Sequence, residues 1–252
     1  MKINIHPNHI QNKSSIISII EDFNENGKIF GNGDRNTIKL FEYNDRIVNV
    51  KSFKIPNLIN KVAYKYFRKS KAKRSYEFAN YLLANEIGTP DPIAYFEKFN
   101  FLGLNKSFYV SNHLETELTF RELVLFPEYP DNENILRQFI QFSFLLHEKG
   151  IEFLDHSPGN TLIKKTEEGK YDFFLVDLNR MRFHSELSFE QRMKNLSKLT
   201  SKKDMVIVMS DEYAKLCGKE KEEVFEKMWY YTNNFQAKFQ FKKKIKKKFK
   251  FW

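Results

Sequence analysis

The stretch FLDHSPGNTLI, residues 153–163, sets an Asp five residues ahead of an Asn across a Pro-Gly bend and then runs into an apolar strand. TLIKK, a turn at EEGK and YDFFLVDL follow, a hairpin whose second strand ends at Asp177, 17 residues after Asn160. ENILRQFIQFSFLLHEKG (133–150) precedes the loop and reads as a helix, with Ile135, Leu136, Phe139, Ile140 and Leu146 on one side and Gly150 closing it. A loop clamped between a helix and a hairpin is where reactive groups are commonly placed. Asp155, Asn160 and Asp177 would together make a hard, oxygen-rich set suited to Mg²⁺.

The rest of the chain reads as strands first and helices later. GKIFGNG, TIKLFEY and RIVNVKSF are expected strands, and SKAKRSYEFANYLLANEIG (70–88) an expected helix. Its apolar positions are Tyr76, Ala79, Leu83 and Ile87, with Gly88 as the stop and Pro90 beyond it. PIAYFEKFN and SFYVSNHLE form a strand pair, and residues 185–235 are mainly helical. The fold class predicted is α+β in two lobes, a small strand-rich N-lobe with one helix and a mainly helical C-lobe. The lobes are placed at 1–114 and 115–236, with a basic-aromatic tail at 237–252.

A chain of 252 residues, 41% hydrophobic with 26 Phe, is long enough for a substantial core. No apolar run approaches the roughly 20 residues that span a bilayer, and the opening MKINIHPNHIQNKSS has no signal-peptide pattern. The single cysteine, Cys217, excludes an internal disulfide framework and a cysteine-cluster zinc site, and a reducing cytoplasm is expected. The net charge of +10 is concentrated: residues 238–252 carry eight Lys and KYFRKSKAKR (65–74) six Lys or Arg, neither with an acid. Positive charge delivered locally points to an anionic partner at those places.

The order of parts matches a protein-kinase catalytic apparatus. An Asp, four residues, then an Asn supply the base for the acceptor hydroxyl and a metal ligand, and an Asp after a hairpin supplies the second ligand. DHSPGN and VDLN provide them at the expected spacing. A strand Lys should hold the ATP phosphates, braced by a helix Glu. Lys51, in IVNVKSF, and Glu77, in the following helix, take those places. Lys54 lies on the opposite strand face, so only one of the two can face the site, and Lys51 is favoured because it directly follows IVNV. GNGDRN supplies Gly31 and Gly33 as a weak phosphate loop. His147 is read as sitting near a helix end, where a cationic ring is favoured, and neither His147 nor His156 is given a metal or acid-base role.

On RNTIKLF, VNVKSFK, SKAKRSYEFANYLLANEIGTPDPIAYFE, LLHEKGIEFLDHSPGNTLI and FFLVDLNRMRF, spanning about residues 35–183, the chain resembles the lipopolysaccharide kinase family, the Kdo and heptose kinases of Gram-negative inner-core assembly. These are small bilobal relatives of protein kinases. The resemblance implies transfer of the ATP γ-phosphoryl group to a sugar hydroxyl of a lipid-linked acceptor of the Kdo–lipid A type. Asp155 would act as base, with Lys51 and Glu77 beside it in catalysis. Gly31, Gly33, Lys51, Asn160 and Asp177 would face ATP, and Asn160 and Asp177 would hold Mg²⁺. The pattern departs from protein kinases at Phe153, where they carry His, and at Ser157, where they carry Lys. DLN replaces their Asp-Phe-Gly, and no Ala-Pro-Glu segment follows. These departures point away from a protein substrate.

FQFKKKIKKKFKFW suits an anionic inner-membrane surface, with lysines near the headgroups and aromatic rings among them. The expected location is therefore cytoplasmic, peripheral on the inner face of that membrane. Nucleic-acid binding would account for the tail but not for Asp155, Asn160 and Asp177, and nucleic acid is not an expected partner. Two other readings remain: a soluble small-molecule kinase of the aminoglycoside or choline type, and an inactive kinase-fold binding module.

Overall fold

The computed structural model describes residues 1–31, 36–55 and 57–249. The chain divides into two compact units, Met1–Glu115 with Asp177–Asn179, and Thr116–Val176 with Arg180–Trp252.

The first unit is built on a six-stranded antiparallel sheet of order β1-β5-β6-β4-β3-β2. Its strands are β1 (Lys2–Ile5), β2 (Lys28–Ile29), β3 (Asn36–Tyr43), β4 (Arg46–Phe53), β5 (Pro92–Asn100) and β6 (Gly103–Asn112). The β3–β4 hairpin turns at Asn44 and Asp45, both at positive φ, as a two-residue turn requires. One face of the sheet buries Val48, Val50, Ile93, Phe96 and Val110 against Ile16, Ile20 and Phe23.

Three helices accompany this sheet where one is expected. Helix α1 (Lys13–Glu21) is rich in isoleucine, a weak helix former, and burial of Ile16 and Ile20 overrides that preference. Helix α2 (Leu58–Tyr66) is capped by the Asn57 side chain, which accepts from the Asn60 amide. Helix α3 (Lys71–Ala84) starts at the Ser70 cap and buries Ala72, Ser75, Tyr76, Ala79 and Leu82. Leu82, not Leu83, faces inward, and the helix stops four residues before Gly88, with Glu86 taking the left-handed conformation at φ 59°.

The second unit holds α4 (Phe120–Leu125), α5 (Asn132–Glu148), α6 (Phe189–Leu196), α7 (Lys203–Cys217) and α8 (Lys221–Phe249). A three-stranded sheet orders β10 (Lys170–Leu175), β9 (Thr161–Glu167) and β7 (Leu118–Thr119). A two-stranded ladder pairs β8 (Ile151–Phe153) with β11 (Met181–Phe183). All five apolar positions expected on α5 are buried. Ile135, Leu136, Phe139 and Ile140 join a core that includes Phe120, Ile163, Met193, Met209, Tyr213 and Met228.

Gly150 ends α5 in the left-handed region at φ 67°, and a Cβ there would lie 2.0 Å from the His184 carbonyl oxygen. Gly150→Ala is therefore expected to destabilise the protein by about 3 kcal/mol, read as a lowered denaturant midpoint. The tail expected to begin at 237 continues α8 through Phe249 without a break, since it holds neither Gly nor Pro and is rich in lysine. Lys250, Phe251 and Trp252 lie outside the described residues. Among the described residues no helix is long and apolar enough to cross a membrane.

Candidate functional site

In the first unit, β4 is a central strand between β3 and β6, and Lys51 stands opposite Ile38 and Tyr109. Its ammonium lies 2.7 Å from Asp177 Oδ1 and 5.5 Å from the Phe53 ring centroid. Lys54 lies past the strand end, exposed, with its amide on the Asn36 side chain. Asp177 is itself at φ 59°, a conformation that Asp tolerates better than most residues. Asn179 Nδ2 donates to the same Oδ1 at 2.6 Å. Lys51 and Asn179 therefore share one oxygen of Asp177, and neither bond uses Oδ2.

Glu77 does not brace Lys51. Its carboxylate pairs with Lys69 at 2.9 Å and stands 4.0 Å from Lys73, one turn earlier on α3. The nearer basic side chains of its own segment take it, while Asp177 takes Lys51. Gly31 follows β2 at φ 79° with open space around it. Gly33, the other expected phosphate-loop residue, lies outside the described residues.

In the second unit, the loop after β8 carries Asp155, and a short 3₁₀ turn at Pro158–Asn160 carries Asn160. Asn160 Nδ2 donates to the Asp155 carbonyl at 2.8 Å, which closes the five-residue loop and leaves Oδ1 outside that bond. The Asn160 carbonyl accepts from the Val176 amide at 3.0 Å. Gly159 lets the Arg121 guanidinium lie close over the turn: a Cβ there would stand 2.4 Å from it and displace that flexible side chain.

Two cations beside Asp155 are not evident in the sequence. Arg180 Nη1 lies 2.8 Å from Asp155 Oδ1. It is brought there by the β8–β11 ladder, in which the Leu154 amide donates to the Arg180 carbonyl. Lys198, just past α6, donates its ammonium to the Leu154 carbonyl. Burial pushes the Lys198 ammonium below its ordinary value, and the Asp155 carboxylate partly offsets this. The ladder strands are only three residues long and joined by no local turn, so the sequence pattern gives no sign of either contact.

The loop is held from beneath by a buried polar network. Asn195 Oδ1 meets both His147 Nε2 at 3.3 Å and His156 Nδ1 at 3.2 Å, while its Nδ2 donates to the Phe153 carbonyl at 2.9 Å. His147 Nδ1 meets the Tyr213 hydroxyl at 2.9 Å. Both histidines are fully buried, and burial pushes His147 down to about 3 and His156 down to about 4. The cationic helix-end role expected for His147 is thus replaced by a neutral, hydrogen-bonded one. Phe153, at the position where protein kinases carry His, is fully buried and packs on the His156 ring.

The sequence matches no protein-family model, and none of the curated proteins compared with it is similar. Solved structures do share the fold. WaaP, determined in complex with acyl carrier protein, superposes with a TM-score of 0.65 at 13% identity, over 94% of this chain and 98% of that one. The fold is therefore α+β and kinase-like, and is shared with WaaP.

Proposed function

We propose that this chain is an ATP-dependent kinase that phosphorylates a sugar hydroxyl, Kdo or heptose, of a lipid-linked lipopolysaccharide inner-core acceptor. The observation that carries the reading is the 2.7 Å pair between Lys51 and Asp177, residues 126 positions apart that the motif pattern had already assigned to one apparatus. The likeness to WaaP, a lipopolysaccharide core heptose kinase, supports it.

In this reading Asp155 accepts the proton of the acceptor hydroxyl, with Arg180 holding its carboxylate. Lys51, held in place by Asp177, is the cation for the α- and β-phosphates. Asn160 Oδ1 and Asp177 Oδ2, each outside the hydrogen bonds described for its own residue, are hard oxygen donors of the type that magnesium takes. Bound there, Mg²⁺ would neutralise phosphate charge. Gly31 would border the nucleotide through its backbone. The protein's contribution is positioning and charge stabilisation. Glu77 has no part in this scheme beyond its own ion pair. The lysines of α8 from Lys238 to Lys246 are exposed, which suits attachment to an anionic inner-membrane face and a location on its cytoplasmic side.

The test is ATP turnover by the purified protein with and without Kdo-bearing lipid A, with phosphate traced to the glycolipid. Phosphoglycolipid is the expected product. Turnover indifferent to the glycolipid would replace the acceptor by a soluble one, and absence of nucleotide binding would overturn the kinase reading.

A further inference from the structure

Helix α2 is amphipathic, and it is seated the wrong way round for a soluble protein. Ile59, Val62 and Tyr66 recur along one face, and all three are exposed. Among the described side chains of α2 the half-buried ones are Asn60, Lys61, Ala63 and Tyr64, and of these only Ala63 is free of polar groups. The contact beneath is close. Gly103, at φ 125°, begins β6 so near the helix that a Cβ there would lie 2.3 Å from the Lys61 carbonyl oxygen. Lys65 reaches the Phe101 carbonyl in the β5–β6 turn at 3.4 Å.

Two further apolar side chains are exposed near the helix: Phe67, which directly follows α2 and lies beside the Tyr66 ring, and Phe101, whose carbonyl receives Lys65. Ile59 at 80%, Phe67 at 83% and Phe101 at 85% are the most exposed large apolar residues among the described ones. Single exposed apolar side chains are ordinary, but five on one short helix, its end and the turn it meets mark a surface that is covered in use. What covers it is indicated by charge. From Arg46 to Tyr76 the chain carries ten Lys or Arg and no Asp or Glu. Lys65, Arg68 and Lys69 are exposed immediately beside the apolar group.

We propose that α2 and the β5–β6 turn form a second membrane-docking surface, in which the apolar face enters the interfacial region of an anionic phospholipid leaflet and the flanking cations meet its headgroups. Lys69 is paired with Glu77, but Lys65 and Arg68 stay exposed, and protruding apolar side chains with aromatic members flanked by cations are the composition of an interfacial helix. This surface is separate from the α8 tail, whose contribution is mainly lysine charge. It needs neither nucleotide nor turnover, so it stands or falls apart from the kinase reading.

The experiment is co-sedimentation of the full chain with phosphatidylglycerol/phosphatidylethanolamine vesicles, comparing it with an Ile59→Ser, Phe67→Ser, Phe101→Ser variant. The variant is expected to partition at least about tenfold more weakly, and the difference should persist near 0.5 M salt, where attraction through tail lysines is screened. The three side chains are exposed, so folding should be preserved. A Phe67→Trp variant gives an independent readout, since its added emission should shift to the blue and be quenched by lipids brominated near the headgroup. Equal vesicle binding by the chain and the triple variant, or added emission in the Phe67→Trp variant that is insensitive to brominated lipid, would overturn the proposal. Loss in the triple variant of self-association or of binding to an acidic carrier protein, with vesicle binding intact, would also overturn it and assign the surface to that partner.

Discussion

Replacing Asp155 with Ala lowers the turnover number for phosphoryl transfer by about 10³-fold or more, while leaving the affinity for Mg-ATP within about threefold. The separation follows from what Asp155 touches. Its carboxylate is held by Arg180, and its backbone carbonyl, which the substitution does not remove, still receives the Asn160 amide. Asn160, the proposed metal ligand, thus keeps its support while the proposed base is lost. Asp155→Asn, which preserves shape and removes the charge, should be nearly as inactive. Arg180→Gln should lower turnover by about tenfold with the KM for ATP unchanged, because it frees the carboxylate without removing it. The measurements are initial rates on the glycolipid acceptor and nucleotide binding by calorimetry. An Asp155→Ala protein that turns over normally would remove the base assignment, and a matching loss of nucleotide affinity would mean that the residue acts in binding.

Part of this site is legible in the sequence because its spacing is local. Asp155 and Asn160 are five residues apart across a Pro-Gly bend, and the structure closes that loop with one hydrogen bond. The hairpin that delivers Asp177 is legible for the same reason, as two alternating runs around a Gly-containing turn. Lys51 is preferred over Lys54 on strand pattern; Lys51 lies within β4 with its ammonium on Asp177, while Lys54 lies beyond the strand's end. What the sequence withholds is set by contacts between distant segments. Glu77 has the right place in the order of elements, yet a lysine eight residues earlier in the chain, Lys69, captures it. Arg180 and Lys198 reach the Asp155 loop through a three-residue ladder and the end of α6, and neither leaves a periodic mark. Helix α2 escapes for another reason. Its apolar stripe has no core to face, so the rule that amphipathic helices bury their apolar side gives no warning of where it goes.

The network under the Asp155 loop makes the fold acid-sensitive. His147 and His156 are both neutral in the folded protein, held by Asn195 and Tyr213, with burial lowering one to about 3 and the other to about 4. In the unfolded chain each would titrate near its ordinary value of 6.5. The folded state therefore binds fewer protons, and the stability contributed by keeping these rings neutral is present above pH 6.5 and lost as pH falls toward 4 and then 3. Between pH 7 and pH 5 the two rings together should remove about 3–4 kcal/mol from the unfolding free energy. This is a large share of the roughly 5–15 kcal/mol that holds most domains folded. Denaturant titrations at the two pH values measure the difference directly. In a His147→Gln, His156→Asn protein the loss over the same interval should be much smaller, since neither replacement titrates. Because Asn195 also binds the Phe153 carbonyl, the protonation that weakens the fold also releases the loop carrying Asp155, and activity should fall with stability rather than before it. A protein equally stable at pH 7 and pH 5 would show that the two rings are not buried as neutral partners of Asn195.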